Sequence, residues 1–493
     1  NDNICEVSNE YDSTASGVTI GMKWQCVELV NRLYLAKGWT HSTWWGNGNQ
    51  MYANAPSNLA KQPQGSITNI GPGDVVSYAG GDAGHVGIVD TVTANGSGGY
   101  TVSLVNQNAV PTRTTTTLRN GVLTAPWSGF SVIGVIDAPG SVSVGNGSFV
   151  THDGFVYRIA GGAPLYVSNW ANVGGPQPTT ALSDAQFDAL AKYPANGTTV
   201  VIDNSNEHGA AFVFAGGAPL VITNWDNVPN HHFVYVDGNA LDTYSASEPW
   251  DHVSEYPADG TPVAVGNSQS HGEGFVFAGG APLAVQDWSN VANHAFTFVD
   301  GNALINFSSS DPYKRFSHVR QYPANGTAVA VGNPVAHGSG YDFAGGAPIA
   351  VSNWAHVGTP HFTVVDSIAL DNYSSTGTWR AFEHVRAVPA NGTFLRSPTT
   401  GAIYRAAGGA PLYISNCTPI GGCAMPGPVD TWAIANAGQA NVHLSAVPAD
   451  NTIVEGMPSH HYWKFENGKR TAAASTASAV VVDDTSVTRY PVS

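Results

Sequence analysis

At 493 residues the chain exceeds what one ordinary core organises, so two or more domains are expected. Only 11% of its residues are charged and the formal net charge is −16, which argues against a nucleic-acid or anionic-membrane surface built from Lys/Arg patches. Hydrophobic residues make up 42%, enough for buried cores, and the abundance of Gly, Asn, Thr, Ser and Trp suits a β-rich, turn-rich extracellular protein. No apolar stretch approaches the roughly 20 residues that span a bilayer. The start at Asn1 fits a secreted or cell-surface protein whose signal peptide has been removed.

In chain order, the first clear element is an amphipathic helix over Trp24–Ala36 (WQCVELVNRLYLA), with Val27, Val30, Leu33 and Tyr34 at helical spacing. Strands are predicted over Asp74–Tyr78, His85–Val92, Tyr100–Val105 and Phe130–Ile136, separated by glycine-rich turns. A Pro/Gly/Ser/Val stretch, Ala138–Gly147, reads as a linker. Domain boundaries at 1–139, 140–147 and 148–493 follow.

From about residue 147 the chain repeats itself. GGAPLYVSNW (Gly161–Trp170) returns with its prolines at Pro219, Pro282, Pro348 and Pro411, about 55 to 66 residues apart. A Pro-Ala-Asn/Asp-Gly-Thr landmark starts at Pro194, Pro257, Pro323 and Pro389, and a worn copy at Pro448. Val-Asp-Gly-Asn-Ala-Leu starts at Val236 and Val299, with a variant near Val365; a degraded sixth copy runs through Tyr462–Arg470 and Val480–Asp484. Such a period points to a solenoid, propeller or tandem array. In the third copy alternation predicts strands Pro262–Val265, Gly274–Ala278, Pro282–Val285 and Ala295–Val299. Four short antiparallel strands would make one propeller blade. Because the chain ends where a next copy would begin its first strand, a six-bladed β-propeller closed by both termini is expected. A linear array of β-hairpin modules is the alternative.

Three motifs carry chemistry. The first is Gly21–Tyr34, GMKWQCVELVNRLY; the second is Gly73-Asp74-Val75-Val76 followed by Gly84-His85-Val86-Gly87-Ile88-Val89; the third is Leu104-Val105-Asn106-Gln107-Asn108. In this order and spacing they resemble the CHAP family of cysteine, histidine-dependent amidohydrolases and peptidases, which is papain-like and related to NlpC/P60. The resemblance covers residues 1–139 and implies an α+β papain-like N-terminal domain; the all-β repeat domain expected after it rests on the repeats alone, which resemble no named family. It implies Cys26 as nucleophile and His85 as base. Asn106, where the family often has Glu, would orient the imidazole, with Asn108 as runner-up. The Cys26 N–H and the Gln25 amide would form the oxyanion hole. Independently of the family, a cysteine at a helix start meets unpaired N–H groups and the positive dipole end, which favour the thiolate. A Cys5–Cys26 disulfide would block this chemistry. Cys417 and Cys423 flank a short loop and are expected to pair in an oxidising compartment.

Other residue patterns have blander readings. Glu28 and Arg32 lie one helical turn apart and would pair. Trp44-Trp45-Gly46-Asn47 would line a groove or pack in the core. His152, His208, His271 and His337 recur before Gly-aromatic strands, and His252, His318 and His384 recur five residues before the second landmark's Pro. Without a carboxylate or second His at ligand spacing, strand-tying hydrogen bonds explain them better than a metal, and no metal or cofactor is expected. Trp170, Trp225, Trp288 and Trp354 would wedge between modules or, if exposed, form a platform for sugar rings.

Together these features point to a secreted cysteine amidase or endopeptidase acting on peptidoglycan, held on the wall or a cell-surface polysaccharide by its repeats. The alternatives are a structural or adhesive surface protein with a weak or inactive N-terminal domain, and a lectin-like propeller. Self-assembly is compatible with either.

Overall fold

The computed structural model describes residues 13–15, 18–67, 70–95, 99–139, 144–204, 208–244, 247–266, 273–292, 295–305, 317–332, 339–358, 360–371, 384–424 and 426–493. Cys5, His271 and His337 lie outside the described residues. The chain forms two compact units: residues 1–195 with 202–208 and 232–252, and residues 196–201, 209–231 and 253–493.

In the first unit, β1 (Ser13–Ala15) and β2 (Val18–Gly21) form a hairpin before helix α1 (Cys26–Ala36). A short helix α2 (Met51–Asn54) follows. The strands β3 (Lys61–Pro63), β4 (Val75–Ala79), β5 (His85–Asn95), β6 (Gly99–Asn106), β7 (Arg113–Arg119), β8 (Val122–Leu123) and β9 (Ser131–Ile136) make one antiparallel sheet, ordered β3-β9-β4-β5-β6-β7-β8. The sheet is covered on both faces, which is why β4 and β5 read as continuous apolar runs rather than alternating ones. Val75, Val86, Ile88 and Ile136 pack with Cys26, Val30 and Tyr34 of α1. Val76, Val89, Val102, Leu104 and Val135 form a second core with Tyr78, Leu118 and Leu123 on the opposite face. α1 lies directly on β5. Asp74 of the Gly-Asp motif is structural. Its carboxylate accepts from Gly71 N at 2.7 Å and Ala138 N at 2.8 Å, joining the chain before β4 to the chain after β9.

Each repeat builds a four-stranded sheet. In the first, β10 (Phe149–His152), β11 (Phe155–Ala160) and β12 (Ala163–Tyr166) are antiparallel, and β13 (Thr179–Ala181) pairs with β10 in parallel. In the third, strands Pro262–Val265, Gly274–Ala278, Ala281–Val285 and Thr297–Val299 are close to the predicted spans, and again the fourth runs parallel to the first. This corrects the all-antiparallel blade. After the third strand a 3-10 turn at Trp288–Asn290 carries the chain back across the module, so the fourth strand lands beside the first instead of extending a meander. Among the described residues, the terminal exchange expected of a closed propeller is not seen either. Residues 491–493 pair with Arg470 in their own module, and the neighbours of β10 are β11 and β13. Repeated four-stranded modules therefore fit the tandem-array alternative.

The three landmarks are the joints of the array. The Asn or Asp of Pro-Ala-Asn/Asp-Gly-Thr caps its own module's hairpin: Asp259 accepts from Gly279 N at 2.7 Å and Asn325 from Gly345 N at 2.8 Å. The same hairpin glycine offers its carbonyl to the next module's landmark, Gly279 O to Ala324 N at 3.1 Å and Gly345 O to Ala390 N at 3.0 Å. Gly279 has φ +56°, and a Cβ there would lie 2.0 Å from Thr327 Oγ1, so only glycine fits. In the other direction, a buried Asp reaches back to the segment just before the repeated Trp: Asp300 to Thr223, Asp366 to Gln286 and Asp430 to Ser352. Burial pushes the Asp300 carboxyl up, but hydrogen bonds from Thr223, Asn302 and Asn227 outweigh it and hold the group below the usual carboxylate range.

Candidate active site

The site assembles where α1 meets β5 and β6. Met22 O accepts from Gln25 N at 3.2 Å, and Trp24 turns the chain with φ +68°. Gln25 then stands extended as the N-cap residue, so Cys26 opens the helix. Cys26 is buried and carries a reduced thiol at the positive end of the α1 dipole. Among the described residues it forms no disulfide.

His85 opens β5 and is buried, with Nε2 3.2 Å from Asn106 Oδ1 at the end of β6. Asn106 donates through Nδ2 to Thr114 Oγ1 on β7 at 3.0 Å, which turns its carbonyl oxygen toward the ring. An oxygen accepts, so the proton sits on Nε2 and Nδ1 carries the basic lone pair. Small residues make room for this pair. A Cβ on Gly87 would fall 2.6 Å from Asn106 Oδ1, and one on Gly48 would fall 2.6 Å from the His85 backbone. Trp127 meets the imidazole edge-on at 4.9 Å. Burial pushes the His85 pKa down, opposed by the Asn106 hydrogen bond, so the ring is neutral at neutral pH.

Residues 17–108 match the family model of the CHAP domain. The match ends at Asn108, so it takes in all three motifs. No curated protein matches the chain. CHAP domains are in general amidohydrolases or peptidases, and the kind of function this domain suggests is peptidoglycan hydrolysis.

Within the CHAP domain, Asn108 Nδ2 donates to Gln25 Oε1 at 2.9 Å, which brings the two expected oxyanion and support residues together. Asn108 thus meets Gln25, the residue before Cys26, while Asn106 meets His85. Glu28 pairs with Arg32 at 3.0 Å. Of the tryptophan pair, Trp44 is core and Trp45 is 48% exposed, as is Trp24 at 53%. Four residues with evident roles were not anticipated: Gly48, Gln107, Thr114 and Trp127. Thr114 belongs to RTTTTLR, whose buried positions Thr114, Thr116 and Leu118 alternate, but threonines hide the apolar signal.

The repeated histidines behave as ties. His252 Nδ1 donates to Lys192 O at 3.0 Å, His318 to Glu255 O at 2.7 Å and His384 to Gln321 O at 2.7 Å, each joining one repeat to the one before. His208 instead meets Asp203 at 3.1 Å, and His152 meets Asp184 at 3.3 Å, a carboxylate that lies 32 residues away in sequence. Asp153 completes a His-Asp-Asp group there, two of whose members are exposed. Trp288 and Trp354 are half-buried. They close over glycines of their own module's second strand, Gly274 and Gly340, where a Cβ would lie 2.5 Å from the indole. Cys417 and Cys423 are joined by a disulfide.

Proposed function

We propose that the N-terminal domain is a secreted cysteine amidase or endopeptidase that cleaves an amide bond of bacterial peptidoglycan, with Cys26 as nucleophile. The observation that carries this reading is the His85–Asn106 pair at 3.2 Å, set against the sheet on which the Cys26 helix lies. His85 Nδ1 takes the thiol proton while Asn106 holds Nε2–H and with it the tautomer. The thiolate attacks the amide carbon, and the Cys26 N–H and the Gln25 amide receive the oxyanion. The C–N bond breaks as the imidazolium returns its proton to the leaving amine. Water, deprotonated by His85, then splits the thioester and frees Cys26.

The repeat domain is proposed to hold the enzyme on wall or cell-surface polysaccharide. In its favour, Trp288 stacks on Phe296 at 5.0 Å and Trp354 on Phe362 at 5.3 Å, and the two phenylalanines are 40% and 49% exposed. Flat aromatic surfaces repeated from module to module suit sugar rings.

Release of new amino groups from purified walls tests the catalytic part. Wild-type protein is expected to release them and Cys26→Ala to release none. Equal release by the variant would refute the hydrolase.

A further inference from the structure

On the reading just proposed, the chemistry requires a sulfur on α1 and an imidazole on β5 to keep their separation while sitting on different elements. The contacts at the end of β6 show how. Asn106 holds His85, and the next residue, Gln107, turns to the helix. Its Nε2 donates to Gln25 O at 3.1 Å, the carbonyl of the residue preceding Cys26, and to Glu28 Oε2 at 2.6 Å, within the first turn of α1. Its Oε1 accepts from Arg32 at 2.8 Å, one turn further along. Arg32 also pairs with Glu28 at 3.0 Å, and Glu28 is only 3% exposed. One carboxamide thus grips the nucleophile's helix at three points, while its chain neighbour grips the base.

We infer that Gln107 is a positioning residue that sets the Cys26–His85 relationship, with Glu28 and Arg32 as its anchors on α1. Two physical effects follow. Gln107 directly follows Asn106 in the chain, just past the end of β6, so a shift of the helix N-terminus relative to His85 would break hydrogen bonds to a buried carboxylate. The Glu28 charge lies in the same helical turn as Cys26 and opposes thiolate formation; the Arg32 cation and the Gln107 N–H offset it. Gln107 is an ordinary polar residue between two asparagines, and nothing in its local sequence marks it for this role.

Gln107→Leu keeps the volume and removes all three contacts, whereas Arg32→Ala leaves both Gln107 donors in place and alters only a partly exposed side chain. Each is compared with wild type for wall hydrolysis and for the pH dependence of Cys26 alkylation by iodoacetamide, with thermal melting as the folding control. The clasp predicts that kcat falls about 10- to 100-fold in Gln107→Leu with KM within about twofold. The alkylation midpoint should rise toward the free-thiol value near 8.5, and Arg32→Ala should move both readouts the same way by less. A folded Gln107→Leu with unchanged kcat and alkylation profile overturns the clasp, as does a lowered melting temperature with an unchanged profile. If wild-type Cys26 itself titrates as an ordinary thiol and walls stay intact, the hydrolase reading falls first, and the clasp with it.

Discussion

The Asp300 carboxylate accepts from both the backbone N–H and the hydroxyl of Thr223, at 2.8 and 2.7 Å, across 77 residues of sequence. Asp300 is fully buried, yet it is held ionised because the oxygens it presents toward the preceding repeat meet donors. The same bond recurs between Asp430 and Ser352 and between Asp483 and Ser415. These carboxylates explain how modules with small individual cores form a continuous structure: each contributes one buried charge that its neighbour satisfies.

Asp300→Ala should destabilise the repeat region by about 2–4 kcal/mol, because Thr223 and Asn224 lose an acceptor in a buried joint. The carboxyl is held below its unfolded value, so its stabilisation is present above about pH 4 and is lost as pH falls through the lowered folded value. Melting curves between pH 7 and 3 should show the wild type losing this advantage over the variant. Parallel curves at every pH would disprove it.

Asp342 behaves in the opposite sense. It is buried, neither carboxylate oxygen has a hydrogen-bond partner among the described residues, and burial pushes its pKa up to about 8. Val213 and Val276 occupy the equivalent strand position in two sister modules. Protonation removes the cost of burying a charge and leaves the smaller cost of an unpaired neutral carboxyl. The penalty therefore begins above the unfolded value near 4 and grows until the pH passes about 8. Asp342→Val should raise the melting temperature at pH 8, and by less at pH 4. A destabilised variant at pH 8 would contradict the account.

Gly279→Ala should cost several kcal/mol, since the methyl group meets Thr327 Oγ1 at 2.0 Å and the backbone is left-handed. Gly260→Ala is the control: φ is +82° but no atom lies within 4 Å, so the cost should be about 1 kcal/mol. Denaturant midpoints that rank the two variants in reverse would show that the joint tolerates slippage.

In a Cys26→Ala background, the His85 ring followed by NMR should titrate below the usual value near 6.5, because burial disfavours the imidazolium. Asn106→Asp places a carboxylate where an amide oxygen now lies 3.2 Å from Nε2 and should raise that midpoint by roughly one to three units. No change on substitution would mean that residue 106 does not face the ring in solution.

Much of the CHAP domain was legible because its signals are local. The apolar spacing of Val27, Val30 and Tyr34 fixes a helix, although it starts at Cys26 and not at Trp24 as predicted, and His85-Val86-Gly87-Ile88 reads as a buried strand. The repeat landmarks were equally plain, and the strands of the third copy fell close to their predicted spans. What escaped was whatever depends on partners distant in sequence. Gln107 looks like any polar residue until α1 lies beside β6, and Thr114 looks solvent-facing until it meets Asn106. The antiparallel blade failed for the same reason, since alternation fixes that a segment is a strand but not which neighbour it joins or in which direction.

By itself the sequence determined the kinds of element, the presence of the CHAP motifs and the period of the array, because backbone propensity and side-chain periodicity act over a few residues. Only the tertiary structure decided that the fourth strand runs parallel to the first, that Asp300 completes another module, and that Asn106 faces His85 while Asn108 faces Gln25. Hydrogen-bond direction and the burial of charge are properties of atoms brought together across the fold, and no local pattern encodes them.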